Sequence, residues 1–511
     1  MMNFKKSISQ VTFLVGLFFF FSLITWLRFK PWEPACLWGD DLLSYMMAHN
    51  CRFNVPDLDS HYFSPDGIKV LFEKFRFVFS LLSQLEFFLF GKNIDGYFAV
   101  NIAVHAANGL LLCLIAFHFC RNWFVSIILG IIGITARFGL FEVIQVTGIV
   151  ENVALLFCLL TIFAVIKAEG FNKNRWDAKW KWIALGFAFL SFNTHERYLV
   201  LLPWLAIFFV LHRNAGKWQE RVWIAILMLL MVISNILIKN IFYHARFLVG
   251  TGGIPISMNI LSMMNFLSEA VLSILGINHG PLYLIGASWA NFSTWIRVAA
   301  VIFASISCAL VVLSLVKPKP AEEPGFLRWP IWLFLLGGLL LTPAIITVRM
   351  EQRWELASFF MLLLLIACGV GRMFYIRFWR GTMILLVLLL ALSAAMIEFR
   401  VSKAFANIHL VYGERLANSI KKIIIDAHAS PPGTPVVIIG DLNIKTLLID
   451  GGFFVVYEGK YRNINVFDKV TGVTWNNYPV KTKVYIVKSI DELTDITDQF
   501  CAIPKTLSNK N

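Results

Sequence analysis

The chain has 511 residues, 58% of them hydrophobic and 15% charged, with a net charge of +14 and a mean hydropathy of +0.71. A soluble chain carries about a quarter charged residues, so most of this one is solvated by lipid, and a soluble globular protein is excluded. The excess Lys and Arg lie in short loops between apolar runs, as the positive-inside rule requires, which leaves no basic face for nucleic acid.

The first apolar run, roughly 9–28, follows Lys5 and Lys6. No small-residue cleavage site follows it, so it reads as a retained span rather than a signal peptide. Further spans are predicted near 97–119, 124–141, 150–167, 181–193, 198–211, 221–241, 294–316, 329–347, 355–371 and 380–398, about eleven in all. Several are shorter than the roughly 20 residues a bilayer needs and are expected to pair as hairpins or to lie partly inside protein. Basic residues fill alternate loops: Lys167 to Lys181, Arg213 to Arg221, Lys317 to Arg328, and Arg372 to Arg380. A strict in–out count places them all on the cytoplasmic side with Lys5 and Lys6. Loop 29–96, the turn near 142–150, His195–Arg197, loop 242–293, Arg349–Arg353 and the C-terminal tail then lie outside. A second apolar run, FRFVFSLLSQLEFFLFG, carries Arg76, Gln84 and Glu86 and is expected at the interface or against the bundle rather than across the membrane. Loop 242–293 has Gly-rich ends around a helical middle and reads as a lid.

Beyond Arg400 the composition changes. An amphipathic helix is expected over 400–430, then short strands at PVVIIGD, FFVVYEG and KVYIVKS. The expected fold is therefore an all-α polytopic membrane protein of about eleven helices with a small C-terminal α/β domain outside the membrane. Residues 1–399 form the transmembrane domain, with outer loops 29–96 and 242–293, and residues 400–511 form the tail.

The outer positions hold an acidic pair, Asp40 and Asp41, then Lys69, Arg76, Glu142, Gln145, Glu151, His195–Glu196–Arg197, and Arg349, Glu351 and Arg353. Ionisable groups at the ends of spans are costly and usually line a cavity. The set offers both proton acceptors and phosphate binders. That combination fits transfer from a polyprenyl-phosphate sugar, with one carboxylate deprotonating the acceptor and cations stabilising the departing phosphate. Asp40 and Asp41 are equivalent candidates for the base. Glu142 is a candidate to orient the acceptor or a metal, although its span also offers Arg137 as a structural ion partner. His195–Arg197 reads equally as an interfacial collar with an internal Glu–Arg pair. Cys36 and Cys51 flank the acidic pair and are candidates for a disulfide.

The run KFRFVFSLLSQLEFFLFGKNIDGYFAVNIAVHAANGLLL resembles the stretch after the first outer loop in bacterial GT-C-type glycosyltransferases. It is most similar to those related to transmembrane O-mannosyltransferases with tetratricopeptide tails. Phe90, Gly91, Asn93, Gly96, Asn101, His105 and Asn108 keep their pattern, whereas the Arg-Pro element becomes Arg76-Phe77 and the first His becomes Phe98. FEVIQVTGIVENVALLF, THERYLVLLPW and MEQRWELASF resemble the later elements through Glu142, Glu196 and Arg353-Trp354. No tetratricopeptide repeats follow the last span, which weighs against protein O-mannosylation. The chain's size and α/β tail are also similar to serotype-converting O-antigen glucosyltransferases. The resemblance implies an inverting transfer of a hexose, glucose first, to a glycan such as lipopolysaccharide O-antigen at the periplasmic face of a bacterial inner membrane. Asp40 or Asp41 is then the base. Lys69, Arg76, His195, Arg197, Arg349 and Arg353 bind the donor phosphate. A divalent cation, Mg or Mn, is a family option for which no oxygen cage is legible here. A non-catalytic flippase and an O-antigen polymerase are the competing readings. The first predicts polar residues inside the spans and internal repeats, and the second an Arg-rich large outer loop.

Overall fold

The computed structural model describes residues 4–48, 76–170, 178–211, 217–243, 259–277, 292–316, 328–347 and 352–404, together with most of 429–497, apart from single positions. Helix α1 (Phe4–Phe29) leads to α2 (Gly39–Ala48) and α3 (Phe77–Phe90). The bundle continues through α4 (Ile94–Cys120), α5 (Trp123–Thr135), α6 (Leu140–Ile144), α7 (Ile149–Gly170), α8 (Ala178–Thr194), α9 (Leu201–Leu211) and α10 (Trp218–Tyr243). It is completed by α11 (Ile260–Ile274), α12 (Thr294–Val316), α13 (Arg328–Thr347), α14 (Leu356–Phe374) and α15 (Arg380–Ala404).

Eight described helices are long and apolar enough to cross a membrane, or nine if α5 and the bent segment after it count as one span. The chain is thus a mostly helical, multi-pass membrane protein. The two remaining predicted spans are α8, with 17 residues, and α9, with 11. Both are short for a bilayer. Helix α8 packs along α7, and α9 packs against α10 and α13. Helix α14 runs through the centre, buried on every side, while α1 and α10 leave most of their apolar surface outward. Helix α3 buries Val78, Ser83, Glu86 and Phe87 and exposes Leu81, Leu85, Phe88 and Leu89.

The span read as continuous over 124–141 is broken. Ala136 is extended, and a 50° bend separates α5 from Arg137–Ile144. A break at membrane depth strands backbone groups that lipid cannot satisfy. Buried or half-buried side chains meet several of them here. The Ile134 carbonyl lies 3.1 Å from His105 Nε2, and the Thr135 carbonyl accepts from Arg28 Nε at 3.0 Å. The Arg137 amide donates to Glu398 Oε2 at 2.8 Å. Asn101 Nδ2 donates to the Gln145 carbonyl at 2.6 Å, and Asn152 Nδ2 to the Glu142 carbonyl at 2.8 Å. Asn152 is itself held by Asn108 and His105. Asn101, His105 and Asn108 share one face of α4 through their helical spacing.

The tail forms a four-stranded sheet of β1 (Val436–Ile439), β2 (Ile464–Phe467), β3 (Lys483–Ser489) and β4 (Glu492–Asp495), in the order β2-β1-β3-β4. Strand β1 pairs in parallel with β2 and β3, and β3 pairs antiparallel with β4. The run GFFVVYE is helix α16 (Gly452–Glu458), not a strand. The topology accounts for the difference: parallel β1 and β2 need a crossover, which α16 supplies. Strand β2, unpredicted, takes the place assigned to that run. The helix expected over 400–430 is seen only as the end of α15, and residues 405–428 lie outside the described residues.

Candidate functional site

Four short segments meet at one end of the bundle. The broken span brings Glu142, the first turn of α7 brings Glu151, the turn before α9 brings His195–Arg197, and the turn before α14 brings Arg353 and Trp354. Each is a helix end or a 3₁₀ turn, where side chains leave the helical ladder and converge. Glu142, Glu151, His195 and Arg197 are all buried.

Glu151 is the hub. Its Oε1 lies 3.2 Å from both Arg197 Nη1 and His195 Nε2. His195 Nδ1 accepts from the Arg197 amide at 3.2 Å, which places the ring hydrogen on Nε2, facing Glu151. Burial, reinforced by Arg76, holds the His195 pKa well below its usual range, so the ring is neutral. It therefore offers a phosphate no charge, unlike its arginine neighbours. Arg76 makes a two-pronged pair with Glu196, at 2.6 Å for Nη2 to Oε1. Of the two readings of residues 195–197, the collar would pair Glu196 with Arg197; among the described residues Glu196 pairs with Arg76 and Arg197 with Glu151. The guanidinium of Arg197 stacks on Trp354 at 3.6 Å and that of Arg353 on Phe141 at 3.8 Å. Stacking holds the planar cations in fixed orientations. Both oxygens of Glu142 are buried and accept no hydrogen bond among the described residues. The structural partner foreseen for it, Arg137, binds Glu398 instead, at 2.7 Å.

The acidic pair divides. Asp40 is exposed and Asp41 is buried, 2% exposed. Asp41 Oδ1 accepts from the amide and hydroxyl of Thr147, both at 2.8 Å, and Oδ2 accepts from the Val146 amide at 3.0 Å. Burial outweighs these donors and pushes its pKa up to about 6. The turn it grips is tied to Glu142: a Cβ on Gly148 would stand 2.3 Å from the Phe141 carbonyl oxygen and 2.8 Å from Glu142 Cα. Only glycine permits that approach. The turn that Asp41 holds thus packs directly against the backbone of Glu142.

Lys69, Arg349 and Cys51 lie outside the described residues, as do much of loop 242–293 and Glu351. Cys36 is buried with a free thiol. The middle of that loop, α11, is helical as expected. Its Ser273 hydroxyl donates to Glu355 Oε2 at 2.6 Å, next to Arg353 and Trp354, and its carbonyl accepts from Arg137. Among the described residues, no three of His, Cys, Asp and Glu converge as a cation site. Asp41, which already accepts three hydrogen bonds, has little capacity left as a ligand.

One group was missed. Glu86 on α3 is 6% exposed, and its Oε2 accepts no hydrogen bond among the described residues. Burial, then the charge of Asp41, pushes its pKa up to about 8. An unfolded Glu titrates near 4.3, so between that pH and about 8 the folded state holds a proton the unfolded state has lost. Stability contributed by Glu86 thus falls as pH rises through this window. Glu86→Gln removes the slope. We expect little change in melting temperature at pH 5 and a gain of several degrees at pH 8.5. Parallel melting curves of the two proteins at every pH would refute the assignment.

No family model matches the chain, and no curated protein does. Among solved structures it is similar to the archaeal oligosaccharyltransferase AglB from Archaeoglobus fulgidus in complex with an inhibitory peptide and a dolichol-phosphate. The TM-score is 0.46 at 12% identity, over 89% of this chain and 65% of that one, so the chain spans just under two thirds of that protein's length. It is also similar to the apo form of the Archaeoglobus fulgidus oligosaccharyltransferase, with TM-score 0.46 and 13% identity over 93% of this chain and 69% of that one. A third similar structure is that enzyme tethered by a disulfide to an acceptor peptide containing the NVT sequon. Its TM-score is 0.44 at 12% identity, over 93% of this chain and 68% of that one.

Proposed function

We propose that the chain is a GT-C-type glycosyltransferase that moves a hexose from a polyprenyl-phosphate sugar to a glycan acceptor outside the cytoplasm. One observation carries this reading: buried carboxylates and stacked arginines converge at one end of a membrane bundle, beside the turn that Asp41 grips. A flippase is expected to show internal repeats, and the sequence carries none; the polar residues inside α4, Asn101, His105 and Asn108, are engaged in holding the broken span.

Asp41, rather than Asp40, accepts the proton of the acceptor hydroxyl. Its pKa of about 6 suits a base working near neutrality. The freed oxygen attacks C1 of the sugar, and the C1–O bond to phosphate breaks on the opposite face, which inverts the anomeric centre. Polyprenyl phosphate leaves. Arg197 and Arg353, with Arg76 behind them and Lys69 and Arg349 as further candidates, stabilise its charge. His195, being neutral, orients Glu151 and Arg197. Glu142 faces the acceptor. No step runs through a metal. The finer reading is glucose transfer to lipopolysaccharide O-antigen at the periplasmic face of a bacterial inner membrane.

The test is purified full-length chain in lipid nanodiscs with polyprenyl-phosphate hexoses and isolated O-antigen. Sugar transfer with release of polyprenyl phosphate is expected. Translocation of the donor without cleavage would favour the flippase and sink the proposal. A reporter fused after residue 400 should signal from outside; a cytoplasmic signal overturns the topology.

A further inference from the structure

Helix α2 is a ten-residue helix, too short to persist without tertiary support. One side of it is anchored by Asp41 to the turn at Val146–Thr147. The other side enters the tail domain. Leu37, Trp38, Leu42, Leu43 and Met46 are buried in one hydrophobic cluster with Ile438, Leu448, Phe453, Phe454 and Tyr485 of the tail. The same cluster takes in Phe87, Tyr97 and Val146 from the bundle. Helix α16 packs directly on α2. The Leu37 amide donates to Tyr457 Oη at 2.8 Å, across 420 residues of sequence. Phe453 lies against Tyr457, ring centres 4.8 Å apart, and is fully buried.

We propose that the C-terminal domain is a brace for α2, and that Phe453 and Tyr457 are positioning residues for Asp41. The domain clamps the helix from outside while Asp41 fixes it to the bundle. The carboxylate keeps its place on the turn only while both holds persist. The tail acts through the packing of one short helix. Its catalytic consequence rests on the proposed function, whereas the mechanical one does not.

The two are separable by experiment on the full chain in nanodiscs. Tyr457→Phe removes the hydrogen bond to Leu37 and keeps the ring. Phe453→Ala opens the core beneath it, and Phe453→Leu refills most of the volume. Amide exchange over 37–46 should quicken about fivefold in Tyr457→Phe, the size of one lost hydrogen bond, and by well over tenfold in Phe453→Ala. Exchange in α4 and α14 should not move, and Phe453→Leu should restore most of the protection. With a polyprenyl-phosphate hexose, kcat should fall in the same order while KM for the donor stays unchanged. Unaltered α2 exchange in Tyr457→Phe and Phe453→Ala overturns the brace. Faster exchange with unaltered kcat overturns the positioning of Asp41. A wild-type protein without transfer activity refutes the proposed function instead, and the exchange measurement alone then decides the brace.

Discussion

Asp41→Asn is expected to lower the rate of sugar transfer by about 10² to 10⁴-fold, the range a positioned general base supplies. Asp40→Asn is expected to keep most of it. The two carboxylates differ by one residue and by everything around them: Asp40 is exposed, whereas Asp41 takes three hydrogen bonds in a buried turn. Asparagine at 41 must also turn its amide group toward at least one of those donors, at about 1–3 kcal/mol. A lower melting temperature will therefore accompany the loss. The pH profile separates chemistry from structure. With its pKa pushed up to about 6, Asp41 is deprotonated only above that pH, so kcat/KM should rise as pH rises through about 6 and then level. The Thr147 hydroxyl bond favours the charged form and the neighbouring charge of Asp40 disfavours it. Thr147→Val should then move the limb to higher pH, and Asp40→Asn should move it to lower pH. A limb that stays fixed in both variants belongs to another group.

Why the pair Asp40–Asp41 stands out in the sequence, while the choice between them and the supports of Asp41 do not, follows from what each feature depends on. Spans are long apolar runs, so α4, α7, α12, α13, α14 and α15 were legible within a few residues. The break at Ala136 was not, because hydropathy sees only side chains. What makes it tolerable is a set of partners from α1, α4 and α15: Arg28, His105 and Glu398. The spacing of Asn101, His105 and Asn108 did mark one polar face of a helix. Their partners are backbone carbonyls and Asn152, which no spacing rule identifies. The clustering of Glu142, His195, Arg197 and Arg353 was legible as charge at span ends. Their pairing is not: sequence proximity offers a Glu196–Arg197 pair as one reading of two, and tertiary contact brings Arg76 to Glu196 and Arg197 to Glu151. Glu86, with Arg76 and Gln84, marks α3 as a segment at the interface or against the bundle rather than a span. The burial of Glu86 comes from tertiary packing, beside Asp41 of α2 and Tyr97 of α4, which no local pattern reveals. The seven residues of α16 were too few for period to separate strand from helix.

Arg197→Ala is expected to produce two losses that a second substitution separates. The guanidinium meets Glu151 at 3.2 Å and lies over Trp354 at 3.6 Å, with only 5% of the residue exposed. Removing it leaves the buried carboxylate of Glu151 without its nearest cation, with only Arg353 and Arg76 farther off, a change that costs up to about 3–5 kcal/mol when a buried pair is broken. Glu151→Gln in the same chain removes the stranded charge and keeps a group for His195 Nε2 to face. The double variant should therefore melt several degrees above Arg197→Ala alone, with a coupling of roughly 1–3 kcal/mol for groups in direct contact. Transfer should not return with it. The departing phosphate still lacks the cation, and the loss of about 10² to 10³-fold, the cost of removing one preorganised donor from a developing charge, should persist. Arg197→Lys sharpens the point: it restores the charge but neither the fork nor the flat face that stacks on Trp354, so it should recover stability in part and rate less. If the double variant regains both stability and transfer, Arg197 serves only to neutralise Glu151, and the phosphate must be met by Arg353 and its neighbours.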